Sequence, residues 1–191
     1  MLVLGCQLAY TIAAPAPGRS FIPLNATAIA MTTDSIHEPL RACLGKFATG
    51  VTVVTCKDAL DRPCGITANS FSSVSLDPPL VLWNIAKSSN SLNAFLNAEH
   101  FAFHVLTNEQ EALSQHFART DHTRFDRIDH EISDDGVPIL PDCLAVMRCS
   151  TFAIHDCGDH HIIIGEVERF DVGEGEPLLF YRSRYRALAE D

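Results

Sequence analysis

The chain has 191 residues, of which 47% are hydrophobic, and a formal net charge of −10. This length and composition predict one globular domain that is large enough to bury a core of its own. The acidic balance argues against a nucleic-acid partner, because neutralising phosphates requires a basic face and the sequence shows none.

The first thirty residues differ from the rest of the chain. Residues 1–30 contain three prolines and a single charged residue, Arg19. Their apolar stretch lacks the basic start of a secretory leader. It is also shorter than the roughly 20 residues that a membrane-spanning helix needs. We therefore predict a flexible leader or upstream extension over 1–30, a domain over 31–191 and no membrane partner; a weak export signal is the alternative.

Seven cysteines lie mostly within apolar runs, and their number is odd. In a chain of this size they indicate buried free thiols in a reducing compartment, so we predict a cytoplasmic protein. The stretch HDCGDHH at 155–161 has the composition of a metal site. No paired C-x-x-C motif accompanies it, and we predict no metal.

The predicted elements begin with a helix over 34–49, whose apolar residues recur at helical spacing and whose stop is expected at Gly50. Three segments of strand composition follow at 51–56, 65–76 and 80–85. Eight residues in this half and the next are expected in the core: Phe47, Val51, Val53, Leu80, Leu82, Phe101, Phe103 and Val105. Trp83 is expected to pack in the barrel.

The second half continues with a helix over 88–99, in which serines supply the N-caps, and a strand over 100–107. Thr107 and Gln110 form a capping box for a helix through Phe117. A surface loop is expected at 119–142, and further strands at about 143–156, 161–171 and 178–185. Strands without βαβ alternation predict a mainly β fold with peripheral helices, as an antiparallel barrel or sandwich.

The stretch from Gly65 to Ser91 is rich in serine and asparagine, and its only ionisable residues are Asp77 and Lys87. Such hydroxyl and amide groups suit an uncharged, flat ligand with polar edges. The helix start near Ser88 suits a phosphate tail, because helix N-termini present unpaired N–H groups. The alternative is that these serines only cap a helix and that the strand residues face solvent. The chain shows no dinucleotide fingerprint, phosphate-binding P-loop or nucleophile elbow.

Four motifs stand in order along the chain: FATGVTVVT at 47–55, GITANSFSSVSLDPPL at 65–80, GDHHIIIGEV at 158–167 and PLLFYR at 177–182. Over about residues 35–188 the sequence resembles the short-chain flavin reductases, the reductase components of two-component flavin monooxygenases. The resemblance implies an antiparallel Greek-key split β-barrel of the FMN-binding type, assembled as a homodimer. It also implies hydride transfer from NADH or NADPH to FMN or FAD, with diffusible reduced flavin supplied to a partner monooxygenase.

The resemblance further implies the site residues. His160 is the catalytic candidate, expected to position the nicotinamide, with a turn residue as its alternative. The segments expected to bind the flavin and the nicotinamide nucleotide comprise Gly65, Ile66, Thr67, Asn69, Ser70, Asn84, Ile85, Ala86, Ser89, Asn90, Ser91, His116, Phe117, Phe180, Tyr181 and Arg182. Of these, His116 and Phe117 are expected to close over the flavin, and residues 180–182 to receive the nicotinamide nucleotide.

Two questions are left open by the sequence. Arg182, Arg184 and Arg186 alternate, so a single strand would present all three on one face, either to a dinucleotide phosphate or to solvent. The function has two alternatives: a split-barrel flavoprotein that keeps its FMN bound and acts on its own substrate, or a non-catalytic flavin-binding module.

Overall fold

The structure, a computed structural model, describes residues 33–119 and 125–189. The predicted leader over 1–30 and its boundary near Met31 lie outside the described residues. By its internal contacts the chain divides into Met1–Glu38 and Pro39–Asp191. The first unit contributes here only the beginning of the first helix, and the description below concerns the second.

Most of the regular structure is antiparallel strand. The helices α1–α3 span Thr33–Leu44, Leu92–Asn97 and Glu111–Phe117, and a 3-10 turn at Asn108–Gln110 precedes α3. The strands β1–β12 span Thr49–Gly50, Thr52–Lys57, Pro63–Ala68, Ser72–Leu76, Pro79–Ala86, His100–Val105, Glu131–Ile132, Pro138–Ile139, Ala145–Cys157, His160–Val172, Leu179–Tyr181 and Arg184–Arg186. The prediction of a mainly β fold with a few helices is confirmed.

A seven-stranded antiparallel sheet in the order β3-β2-β6-β9-β10-β5-β4 forms the body of the fold. Its two edge strands, β3 and β4, follow each other in the chain and are joined by residues 69–71. A link of that length spans at most about 14 Å. The sheet must therefore curl until its edges meet at this corner, which agrees with the predicted split barrel.

Two hydrophobic clusters fill the fold. Trp83 is fully buried in the first, where its ring meets Phe95 edge-on at 4.9 Å and Phe103 at 6.4 Å. The packing role predicted for Trp83 is confirmed. Gly165 is required here, because a Cβ atom at that position would lie 2.5 Å from the ring of Phe101. The second cluster gathers Val51, Val53, Leu106, Phe117, Leu140, Cys143, Val146 and Leu178.

The first predicted helix was placed too far along the chain. α1 ends at Leu44, and the amides of Lys46 and Phe47 donate to the carbonyls of Cys43 and Leu44 in a tightening turn. Gly50 is not the helix stop: the strand β1 pairs with β11 and takes Thr49 and Gly50 out of any helix.

Phe47 was predicted to be core but is 78% exposed. Of the other seven predicted core residues, four are buried and Leu80, Leu82 and Val105 are half-buried.

Three further elements differ from their predicted form. The strand expected over 65–76 is interrupted at 69–71, where the chain crosses between the sheet edges. The helix expected over 88–99 is α2, with only six residues. The loop expected over 119–142 contains the hairpin of β7 and β8.

The last predicted strand is a hairpin, because Arg182 and Ser183 adopt φ values of 50° and 58° between β11 and β12. Arg182 therefore lies in a turn, and the prediction that it shares a strand face with Arg184 and Arg186 is wrong.

The capping box of Thr107 and Gln110 is confirmed, with the Thr107 amide donating to Gln110 Oε1 at 3.0 Å. In the described ranges, no helix combines the length and apolarity needed to cross a membrane.

Candidate functional site

The end of β5 and the beginning of β10 bring two predicted site segments side by side. In this antiparallel pair His160 lies opposite Ala86, and the next two residues of β10 lie opposite Ile85 and Asn84. Opposite residues in antiparallel strands have neighbouring side chains. The register therefore places the predicted nicotinamide-positioning histidine next to a predicted flavin-binding segment.

Ser70 connects two of the predicted flavin-binding segments, 65–70 and 84–86. Its hydroxyl accepts a hydrogen bond from the Asn84 amide at 2.9 Å and donates to the Asn84 carbonyl at 3.3 Å. The β4–β5 ladder begins only at Ser72, opposite Leu82. The Ser70 side chain thus extends the ladder beyond the point where the strand backbone can do so, and it fixes residues 69–71 against the end of β5.

A groove of about 740 Å³ opens at this corner of the barrel. This volume lies in the range of cofactor sites, which is roughly 300–1,000 Å³. Five predicted site residues line it: Asn69, Ser70, Asn84, Phe180 and Arg182. The remaining lining residues are Cys43, Leu44, Gly45, Phe47, Thr49, Phe71, Ser72 and Ser183. We call this cavity the main groove.

None of these eight remaining residues was predicted as a site residue, and Phe47, Thr49 and Phe71 are among them. Thr49 is informative because its buried Oγ1 atom has no hydrogen-bond partner within the described structure. An unpaired buried hydroxyl costs free energy, so such a group at a cavity wall indicates a polar ligand or water. Both Phe47 and Thr49 belong to the motif at 47–55, which carried the family resemblance but no assigned role.

A second cavity, the side pocket, has a volume of about 490 Å³ and lies along β3 and α2. Three predicted site residues line it: Gly65, Asn90 and Ser91. Its other lining residues are Asp58, Ala59, Leu60, Arg62, Pro63, Cys64, Asn93, Ala94 and Asn97. The predicted flavin contacts are thus divided between two cavities.

The expected phosphate site differs in detail from its sequence prediction. Ser91 occupies the N-cap position of α2 without a side-chain cap bond; instead its amide donates to Ser89 Oγ at 3.2 Å. Lys87 is engaged elsewhere, in a 2.6 Å ion pair that holds the pKa of Asp156 below its usual value. The cation of the side pocket is Arg62, which is paired with Asp58 at 2.7 Å.

Most side chains of β3 are used in packing. Gly65 adjoins the ring of Phe117, since a Cβ atom on it would lie 2.7 Å from Phe117 Cε1. Ile66 packs against the first hydrophobic cluster. The Thr67 hydroxyl donates to the Ser114 carbonyl at 2.6 Å. The segment can therefore offer a ligand its backbone groups more readily than the Thr67 hydroxyl.

Of the two residues predicted to close over the flavin, one belongs to the hydrophobic core. Phe117 is fully buried, and its ring lies 5.1 Å from that of Phe125 and 5.2 Å from that of His116. Half-buried His116 follows Ser114 on α3 by two residues. Ser114 Oγ hydrogen bonds to the Tyr185 hydroxyl at 2.8 Å, so α3 is tied to the β11–β12 hairpin as well as to β3.

The predicted nicotinamide residues lie on two hairpins. His160 is 44% exposed and its Nδ1 atom lies 2.7 Å from Asp159 Oδ1. Phe180 packs against Tyr185 with ring centroids 5.4 Å apart. The Arg182 guanidinium stacks over the Tyr181 ring at 5.4 Å, and the Arg182 amide donates to the Gly45 carbonyl at 3.0 Å.

Among the described residues, no group of three or more His, Cys, Asp or Glu side chains is placed to hold a metal ion. The motif at 155–161 is spread along the hairpin of β9 and β10. The main groove instead presents a hydroxyl without a partner in the described structure, serine and asparagine groups, three phenylalanines and one guanidinium. This is the donor set of a β-barrel protein that binds an aromatic, phosphorylated cofactor.

The comparisons with known proteins narrow this class to one family. The chain belongs to the Flavin reductase like domain family, whose profile matches residues 44–189. It is 54% identical over 140 residues to the FMN reductase (NADH) SmoA of Agrobacterium fabrum, covering 73% of this chain and 79% of that protein. It is 45% identical over 147 residues to the reductase component of the flavin-dependent trigonelline monooxygenase of Acinetobacter baylyi, covering 76% of this chain.

A solved structure is similar over most of the fold. The Streptomyces globisporus NADH:FAD oxidoreductase SgcE6, in complex with NAD and FAD fragments, superposes with a TM-score of 0.78 at 36% identity. The match covers 84% of this chain and 98% of that one. Two curated relatives are longer: the chain spans 47% of the Acinetobacter reductase component and 50% of a probable flavin reductase of Rhizobium meliloti.

Proposed function

We propose that this chain is an NADH-dependent flavin reductase, which transfers a hydride to FMN or FAD and supplies reduced flavin to a partner monooxygenase. The observation that carries the proposal is the main groove, where residues from three family motifs line one cavity beside a buried hydroxyl without a partner. The relatives named as NADH-dependent reductases of FMN or FAD support the same reaction.

The residues of the main groove have distinct parts in this proposal. Ser70 holds the end of β5 through the backbone of Asn84, which leaves the Asn84 side chain and the neighbouring residues to face a flavin edge. The Thr49 hydroxyl, which has no hydrogen-bond partner in the described structure, supplies one polar contact to the ligand. Arg182, at the turn of the last hairpin, offers a planar cation for a phosphate. When bound, the flavin accepts the hydride and the nicotinamide gives it.

His160 is proposed to position the nicotinamide from the neighbouring strand. Hydride transfer requires the two rings to be stacked in close contact, so the protein contributes mainly by fixing their relative placement. Asp159 hydrogen bonds to one ring nitrogen of His160 and orients the other away from that carboxylate. The half-exposed imidazole beside Ala86 is placed for that contact.

The partner and the assembly belong to the same proposal. Three relatives are named as reductase components or subunits of a monooxygenase or demethylase, which supports a partner oxygenase for this chain. Delivery of reduced flavin by diffusion and a homodimer are further parts of the proposal, and they rest on the sequence resemblance. The proposal also includes a cytoplasmic location, which rests on the cysteines, and a domain beginning near Met31, which rests on the composition of the first thirty residues.

Anaerobic stopped-flow spectroscopy tests the proposal. Protein, FMN or FAD, and NADH or NADPH are mixed in the four combinations, and bleaching of flavin absorbance is followed. We expect rapid bleaching with NADH and a steady-state rate that rises as free flavin is added. A rate that stays flat with added flavin would favour a flavoprotein that retains its FMN. Absence of bleaching with either nucleotide would favour a non-catalytic flavin-binding module.

A further inference from the structure

Two cysteines face each other across the hairpin of β2 and β3. Cys56 lies directly opposite Cys64 in register. In the same hairpin the Asp58 amide donates to the Arg62 carbonyl at 2.9 Å, which marks that pair as hydrogen-bonded. Such pairs recur at every second position, so Cys56 and Cys64 form another, with a Cα separation of about 5.5 Å. Disulfides span about 4.4–6.8 Å between Cα atoms, so the Cα separation of this pair is within the range of a disulfide.

We propose that Cys56 and Cys64 form a dithiol site that hydrogen peroxide oxidises to a disulfide at the wall of the side pocket. Their side chains lie on the same face of the hairpin, because directly opposite residues do so. Cys56 is fully buried within the first hydrophobic cluster, and Cys64 packs against that cluster while also lining the side pocket. Cys64 can thus be reached from the side pocket, whereas Cys56 is buried beneath the surface.

The surroundings assign the two thiols different parts. The hydrogen bond to Cys64, together with burial, raises the pKa of Cys56 far above its usual value. Cys56 therefore keeps its proton in the resting protein. Cys64 lines the side pocket together with Arg62, whose cation would favour a thiolate there. Cys64 is the attacking thiol and Cys56 the resolving one.

The chemistry balances in two steps. The Cys64 thiolate attacks one peroxide oxygen, the O–O bond breaks, and the departing hydroxide takes up a proton to form water, leaving a sulfenic acid on Cys64. The sulfur of Cys56 then attacks the Cys64 sulfur, the S–O bond breaks, and the leaving hydroxide takes the Cys56 proton to form a second water. Two thiols are oxidised and one peroxide is reduced.

One source of the oxidant rests on the proposed function. Reduced flavin that is not consumed by an oxygenase reacts with dioxygen, giving oxidised flavin and hydrogen peroxide. The enzyme's own product would then generate the peroxide that oxidises the hairpin beside Gly65. The thiol chemistry itself depends only on the geometry of β2 and β3.

Peptide mapping tests the site without any flavin. The intact protein is treated with dilute hydrogen peroxide, its remaining thiols are alkylated, and it is digested with trypsin. Lys57 lies between the two cysteines, so cleavage there separates them unless a disulfide joins the peptides. We expect a cross-linked Cys56–Cys64 peptide pair, the loss of two titratable thiols, and full reversal by dithiothreitol.

Three variants sharpen the test. Cys56→Ala removes the resolving thiol, so Cys64 should proceed to sulfinic acid; Cys64→Ala should leave Cys56 unmodified. Cys157→Ser, which removes an exposed cysteine, should leave the cross-link unchanged. Because the wild-type map requires no substitution, a variant that fails to fold does not remove the test. Sulfinic acid on Cys64 of the wild type without a cross-link, or a cross-link through exposed Cys43 or Cys157, would overturn the proposal.

A second arm replaces added peroxide with NADH, FMN and air, with and without catalase. Cross-linking that catalase prevents would support the product-derived source. If added peroxide forms the disulfide but turnover does not, the site stands while the link to the proposed function falls. If neither does, the site itself is absent.

Discussion

The hydroxyl of Ser70 engages both backbone groups of Asn84, accepting from its amide at 2.9 Å and donating to its carbonyl at 3.3 Å. These two residues come from two segments that the family resemblance assigns to flavin binding. A single side chain therefore sets the relative position of both segments, and its removal should affect ligand binding more than overall stability.

Ser70→Ala should lower flavin affinity by about tenfold, because two hydrogen bonds worth roughly 0.5–1.5 kcal/mol each are lost at the wall of the main groove. Fluorescence titration of FMN measures the change. Ser75→Ala is the matched control. The hydroxyl of Ser75, in β4, also hydrogen bonds with the amide and the carbonyl of a single residue, Asp77, but Ser75 does not line the main groove. Equal affinities in the two variants would show that Ser70 does not position the flavin segments.

Thr49→Val should leave the stability of the unliganded protein unchanged or slightly increased, because it removes a buried hydroxyl that has no partner in the described structure. The same change should weaken FMN binding several-fold. Urea unfolding and FMN titration measure the two effects.

Thr55→Val is the control for Thr49→Val, since the buried Thr55 hydroxyl donates to the Pro138 carbonyl at 2.6 Å. Its loss should cost about 1–3 kcal/mol of unfolding free energy. A similar cost at Thr49 would mean that the hydroxyl has a partner in the protein and is not reserved for a ligand.

His160→Ala should raise the KM for NADH about tenfold or more while the FMN dissociation constant stays near that of the wild type. The reason is the placement of the imidazole beside Ala86, where it would contact the second ring of a stacked pair. His155→Ala serves as the control, because His155 is exposed on β9 of the same sheet. Loss of flavin affinity with unchanged NADH binding would assign His160 to the flavin instead.

Stability should decrease between about pH 6.5 and pH 4 because of His104. This ring is fully buried, and desolvation lowers its pKa to about 4 even though Nδ1 hydrogen bonds to the Val53 carbonyl at 3.1 Å. The unfolded chain takes up a proton below its pKa of about 6.5 while the folded chain does not, so acidification favours unfolding by up to about 3 kcal/mol. Urea midpoints across this range should fall less steeply in His104→Gln; parallel pH profiles would exclude His104 as the cause.

The parts of the fold that depend on neighbouring residues in the chain were predictable. The capping box of Thr107 and Gln110 is a local signature, and strands such as β5 and β6 have apolar runs that can be identified directly. Trp83 was placed in the core because such a run surrounds it. These features need no knowledge of distant partners.

The remaining features depend on contacts between distant segments. The helical periodicity through Phe47 is broken because Thr49 pairs with Phe180, a partner that periodicity cannot identify. The division of 65–76 into two strands reflects closure of the barrel at residues 69–71. The orphan hydroxyl of Thr49 is visible only when its surroundings are known. The sequence therefore predicted the segments of the candidate site through family motifs, whereas the surroundings of individual side chains required the fold.

The open corner between β3 and β4 has a consequence for how the protein responds to its ligand. These edge strands are joined there by the short 69–71 link, whose Ser70 side chain bonds to Asn84 of β5, and the main groove is lined by residues of that link and by Ser72 of β4. A cofactor bound in the groove would contact this corner, where the backbone ladder does not extend. Binding should therefore suppress local opening of the barrel. If flavin stabilises this corner, adding it should slow deuterium uptake in β3 and at the start of β4.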